Sequence, residues 1–311
     1  FLESLKWARR SEESLRGFAL RGALLNARID SAFSYLGLGN HRQAQMLLKD
    51  THLKSLLQNN STATAASLQG LFLCSVHQGD LVRALENAKQ ALKVFQILHD
   101  ARNYRFALID FGSLFYSLRA PAKLKQLWTE EGFGRFHEES PDDLATSMGV
   151  QRLLQWMSGK TFDQRWALWK GISNVQEKVE RRLCWAEFEL ERNRPELAIL
   201  AARKAAALVR QWPHYEVKLR LLRIRAAARK TLSCSTRIEV ERLLRQSSGG
   251  VWELRLLCLL ALRASEPRRA RSLKKRVLSR LEVFRDNSPH WAWEALVQLP
   301  EIAHVLARTP H

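Results

Sequence analysis

The residues that could do chemistry in this chain form a few short constellations, and each implies a specific reaction or ligand. In YLGLGNHRQAQMLL, residues 35–48, Gly37 and Gly39 precede a helix-like run. A dinucleotide-binding loop cradles a pyrophosphate with glycines spaced in this way. That fingerprint also needs a third glycine, where Arg42 stands, and a strand leading into it, which the sequence lacks. The tetrapeptide SGKT, residues 158–161, ends like a phosphate loop. The first glycine of that motif would fall at position 154, which is Leu154. Both stretches read as turns between helices.

Metal and nucleophile chemistry fare no better. Cys74, Cys184, Cys234 and Cys258 are widely separated, no C-x-x-C occurs, and Cys74 with His77 supplies half a metal site. The cysteines read as reduced core thiols of an intracellular protein. No histidine belongs to H-E-x-x-H or stands beside a nucleophile motif. The carboxylates of TEEGFGRFHEESPDD, residues 129–143, cluster in a polar break and read as solvated surface. The sequence therefore points to no catalytic residue, no metal and no cofactor.

Positive charge is the feature that remains. The chain has 50 Lys and Arg against 31 Asp and Glu, and residues 201–285 alone hold 22 against 6. A local field of this size suits an acidic protein segment, nucleic acid or an anionic surface. In EVKLRLLRIRAAARK, residues 216–230, a helical reading puts Val217, Leu221, Ile224 and Ala228 on an apolar stripe. Lys218, Arg225 and Arg229 then lie on another face, with Arg220 and Arg223 flanking the stripe. A second run, EPRRARSLKKRVLSR, adds Arg268, Arg269, Arg271, Lys274, Lys275 and Arg276. The candidate partner-binding set is Lys218, Arg220, Arg223, Arg225, Arg229, Arg268, Arg271, Lys274 and Lys275. Trp212 joins it as an aromatic beside the basic segment that could stack on a base. Five other tryptophans, Trp128, Trp156, Trp166, Trp169 and Trp185, lie in apolar stripes and read as packing residues.

These cations must be positioned by helices, because strand signals are nearly absent while apolar residues recur at three and four positions. Leu81, Ala84, Leu85, Ala88, Ala91, Leu92 and Phe95 show the pattern. The turns between helices also recur. Gly39 with Ala44 and Gly79 with Ala84 are offset by forty residues, and further steps of forty reach Arg119, before Pro121, and Gly159. Such a period marks an array of repeats. Glycine suits a left-handed helix end, while Asn40 and Asp80 can cap the next helix.

On these residues the chain resembles the tetratricopeptide repeat (TPR) family. Ala32, Tyr35, Gly39, Ala44 and Leu48 match its pattern, with Thr51 in place of the last alanine; Gly79, Ala84 and Ala91 match in a second repeat, Gly112, Phe115 and Trp128 in a third, and Ala186, Ala198 and Ala205 in a later one. The spacing is that of the longer variant in sensor arms of bacterial signal-transduction ATPases and MalT-like regulators. The resemblance implies an all-α fold, a right-handed α-solenoid of antiparallel helix pairs. Helix pairs are expected over 22–56, 62–98, 101–130, 143–170, 176–211, 214–247 and 250–285, after a first helix within 2–20. The array thus covers 1–285, with a bend at 129–143, and 286–311 forms C-terminal capping helices.

The function expected from this is a non-enzymatic scaffold or sensor arm that binds a protein partner with an acidic segment. The alternative is a nucleic-acid-binding repeat protein that uses 201–285. Apolar runs such as LLCLLAL, residues 256–262, are too short to cross a bilayer, and the chain reads as soluble and cytoplasmic. With Phe1 at its start it reads as a fragment or processed chain, so a catalytic domain could lie outside it.

Overall fold

The structure is a computed structural model that describes residues 1–16, 21–130, 175–209, 215–229, 232–246 and 250–307. Among the described residues there are fifteen α-helices and no strand. They are α1 (Leu2–Leu15), α2 (Arg21–Gly37), α3 (His41–Leu57), α4 (Ser61–Gln78), α5 (Leu81–Ile97), α6 (Ala101–Ser117) and α7 (Pro121–Glu130). After these come α8 (Val175–Glu191), α9 (Pro195–Val209), α10 (Tyr215–Ala228), α11 (Cys234–Gln246), α12 (Val251–Arg263), α13 (Pro267–Asp286), α14 (His290–Val297) and α15 (Pro300–Ala307). The fold is all-α, with helix pairs at the expected places. The pair expected over 143–170, the turn at Gly159 and most of the bend at 129–143 lie outside the described residues.

Contacts divide the chain into two units: Phe1–Phe111 with Gln246–Gly250 and Val283–His290, and Gly112–Arg245 with Val251–Glu282 and Trp291–His311. In the first, each helix from α1 to α4 packs on the next, and α2 also packs on α4. Contact with the next helix and the next but one is what stacking identical pairs produces. The second unit repeats this: α8 packs on α9, α9 on α10, and α8 also on α10, which packs in turn on α12.

The turns explain the register. In the first unit α2, α4 and α6 begin at Arg21, Ser61 and Ala101, forty residues apart. The backbone shows a shorter period inside the forty. Residues with positive φ fall at Gly39 (78°), Asn59 (52°), Gly79 (82°), His99 (53°) and Arg119 (52°), one every twenty residues. Each closes its helix in the same way. Gly79 N–H donates to the Val76 carbonyl and Asp80 N–H to the Ser75 carbonyl; Asn59 with Asn60, and His99 with Asp100, repeat the pair. These bonds satisfy carbonyls that a helix end leaves unpaired. The following residue then caps the next helix: Asn40, Asn60, Asp80 and Asp100 each accept from the backbone N–H three residues on. Where Ala120 replaces the capping residue, Pro121 takes the first helical position, whose N–H needs no partner.

Packing uses the small residues of the repeat. Ala32, Ala44, Ala84, Ala91, Ala186, Ala198 and Ala205 are fully buried. Ala32, Leu36, Ala44, Leu48, Leu71 and Cys74 form one core cluster, and Val179, Leu183, Ala186, Ala198, Ala202, Leu221 and Ile224 belong to another. Thr51, in the last alanine position, is buried, and its hydroxyl donates to the Leu47 carbonyl at 2.7 Å. At Gly70 a Cβ would stand 2.7 Å from the Leu48 side chain, so a larger residue there requires Leu48 to shift. Ala270, by contrast, is only half-buried.

Cys74 and Cys258 are core thiols, and burial pushes each up to about 12. Cys234 departs from expectation. It is the first residue of α11 and exposed, because the turn that it begins is not covered. No helix among the described residues is long and apolar enough to cross a membrane.

Candidate functional site

The basic residues separate into two groups, and burial is what divides them. Helix α10 packs against α8, α9 and α12 at once, so residues 219–224 are buried all round, including Arg220 and Arg223. Both were expected beside the apolar stripe as partner-binding candidates; the structure instead buries them. A buried guanidinium needs a partner, and theirs come from distant parts of the chain. Arg220 donates from Nε to Glu187 Oε1 at 3.0 Å and from Nη2 to Oε2 at 3.3 Å. Arg223 spans two carboxylates, donating from Nη2 to Glu187 at 2.7 Å and from Nη1 to Glu301 at 3.2 Å.

Arg255 of α12 completes the cluster by donating from Nε to Glu301 Oε1 at 2.5 Å, and Tyr116 Oη donates to Glu187 at 3.2 Å. Trp252, also on α12, carries the three guanidiniums around its ring at 5.0, 4.6 and 5.0 Å from its centroid for Arg220, Arg223 and Arg255. The ring's negative faces attract these cations where water is scarce.

The electrostatics follow from the pairing. Burial alone would raise Glu187, but Arg220 and Arg223 more than reverse it and hold the carboxyl below its ordinary range. Glu301 is lowered in the same way, burial being outweighed by Arg255 and Arg223. Arg255 is brought down to about 10, first by burial and then by the like charge of Arg223. It remains a cation at neutral pH. The cluster adjoins an open cleft of about 680 Å³, lined by Arg119, Arg223, Arg255, Arg263 and His304 together with Leu190, Leu259 and Leu262.

The remaining candidates lie nearer solvent. Lys218 pairs with Glu239 at 2.6 Å. Arg225 is half-buried and lowered by burial, an effect that Glu239 opposes and Arg229 and Arg203 reinforce. Arg229 is exposed, and its carbonyl accepts from Arg263. Helix α13 buries Leu273, Val277, Leu281 and Phe284 on one side. Arg268, Arg271, Lys275 and Arg276 are exposed and form no ion pair among the described residues. Lys274 is half-buried, and Arg269 pairs with Glu241. Trp212 lies outside the described residues.

Sequence reasoning missed Glu187, Trp252, Arg255 and Glu301. One signal was present: arginines inside otherwise apolar stretches, as in WELRLLCLLAL, need a buried carboxylate somewhere in the fold. No group of three or more His, Cys, Asp or Glu among the described residues could hold a metal ion. No protein-family model, curated protein or solved structure matches this chain.

Proposed function

We propose that the chain is a TPR-like scaffold of the long-repeat type, without catalysis of its own, which binds a protein partner carrying an acidic segment. The observation that carries this reading is the unpaired basic strip of α13. Arg268, Arg271 and Lys275 follow one another at three and four residues, so they share a face. At 1.5 Å per residue the strip is roughly 10 Å long. That length suits two or three carboxylates of a peptide, each making charge-assisted bonds.

Exposed apolar side chains favour a protein over a nucleic acid. On α3, Met46, Leu53 and Leu57 are spaced by seven and four residues and stand open to solvent, as do Leu197, Leu200 and Ile238 in the second unit. A phosphate backbone leaves such groups wet, whereas a protein partner covers them.

The test is titration of a fluorescent Glu-rich peptide and, in parallel, a mobility shift with single- and double-stranded nucleic acid at several salt concentrations. The peptide should bind, and Arg271→Glu with Lys275→Glu should abolish that binding. Tight nucleic-acid binding with a steep salt slope, and no peptide binding, would replace this reading with the nucleic-acid one.

A further inference from the structure

We propose that the cleft beside the buried cluster is a binding site for a small organic dianion, whose head is a phosphate monoester or a pair of carboxylates. The head would be held by Arg255, Arg119 and Arg263, with the apolar body against Leu190, Leu259 and Leu262. The first argument is charge. Four arginines line the cleft against two carboxylates, Glu187 and Glu301. Both carboxylates are already engaged by the buried guanidiniums of Arg220, Arg223 and Arg255.

The second argument is unused hydrogen-bonding capacity. A guanidinium has five N–H donors. The side chain of Arg255 is 3% exposed, yet among the described residues its only hydrogen bond runs from Nε to Glu301. Its two terminal nitrogens hold no partner, and the residue lines the cleft. Arg223, whose side chain is 6% exposed, has a buried Nε without a partner. Burying donors without acceptors is costly, and an oxyanion in the cleft supplies acceptors in the forked geometry that arginine matches best. The like charges also press on one another: Arg119 and Arg223 both contribute to bringing Arg255 down from its usual value.

The third argument is shape. A volume of about 680 Å³ lies within the usual range for small-molecule sites. Beside its charged residues the cleft is lined by Leu190, Ala227, Leu259, Leu262 and Pro300. A bare inorganic ion would leave that apolar wall unfilled, so an organic body belongs to the fit.

The experiment is calorimetric titration with phenyl phosphate and phthalate, with benzoate as the monoanionic control, all at matched ionic strength, and with a phosphotyrosine peptide as a second arm. The dianions are expected to bind in one-to-one ratio and to slow amide exchange in α12 and α15. Arg263→Gln and Arg119→Asn should each weaken binding about tenfold, the loss of one charge-assisted bond. Asparagine is chosen at 119 because it tolerates the positive φ of that position. Binding of the peptide at the affinity of phenyl phosphate would assign the head to a phosphorylated partner; binding of the free dianions alone would assign it to a small molecule. Absence of binding, equal binding of benzoate, or affinities unchanged in both variants would overturn the proposal. Arg271→Glu with Lys275→Glu is expected to leave this binding intact, so the cleft and the α13 strip stand or fall separately.

Discussion

Replacing Glu187 with glutamine tests the central cluster most directly. The carboxylate accepts four hydrogen bonds: two from Arg220, one from Arg223 and one from Tyr116. The amide keeps one acceptor oxygen and turns an NH2 group toward donors, so about half of these bonds are lost. At about 1.5–3 kcal/mol for each hydrogen bond to a charged group, the loss comes to about 3–6 kcal/mol. Removing one partner of a buried ion pair has a cost in the same range. Against domain stabilities of about 5–15 kcal/mol, that is a large fraction. Urea unfolding, read by amide exchange in α8 and α10, should show it, and Glu187→Gln combined with Arg220→Met should cost less than the two changes summed.

The pH dependence has a definite sign. Because the folded carboxyl titrates below its ordinary value of 4.5, its stabilisation is complete above that value and is lost as pH falls below it. The Glu187→Gln variant should therefore have a flatter acid limb. A cost below about 1 kcal/mol, additive double-variant energies or an unchanged acid limb would refute the reasoning.

Three further outcomes are expected. Gly70→Ala should destabilise the first unit by about 1–3 kcal/mol through overpacking on Leu48, and Leu48→Val should recover part of it in thermal melts. Asp80→Ala should cost about 1 kcal/mol by removing the cap of α5, while Arg83→Ala, which leaves the cap in place, should cost far less. Among the described thiols, only Cys234 should react quickly with a disulfide reagent in the native state, since Cys74 and Cys258 are buried; the fast phase should vanish in Cys234→Ser.

The turns were legible because their chemistry is local. Gly39 and Gly79 announce left-handed helix ends, and Asn40 and Asp80 announce caps, in a few adjacent residues. The twenty-residue half-period stayed hidden because Asn59 and His99 occupy the same backbone state without the glycine that signals it. The cluster was not legible. Arg220 and Arg223 find their carboxylates 33 and 78 residues away in sequence, and a helical wheel carries no information about partners at such distances. The basic run of α13 was visible in composition, and the structure leaves Arg268, Arg271 and Lys275 of that run exposed.

Arg223 also orders events in time. Residue 301 is made last among the members of the cluster, so a growing chain holds Arg223 and Arg255 without Glu301 until α15 docks on α12. The fold of the second unit is therefore sealed from its far end. A chain cut before Pro300 is expected to be digested by protease within α10 and α12, whereas the intact chain resists.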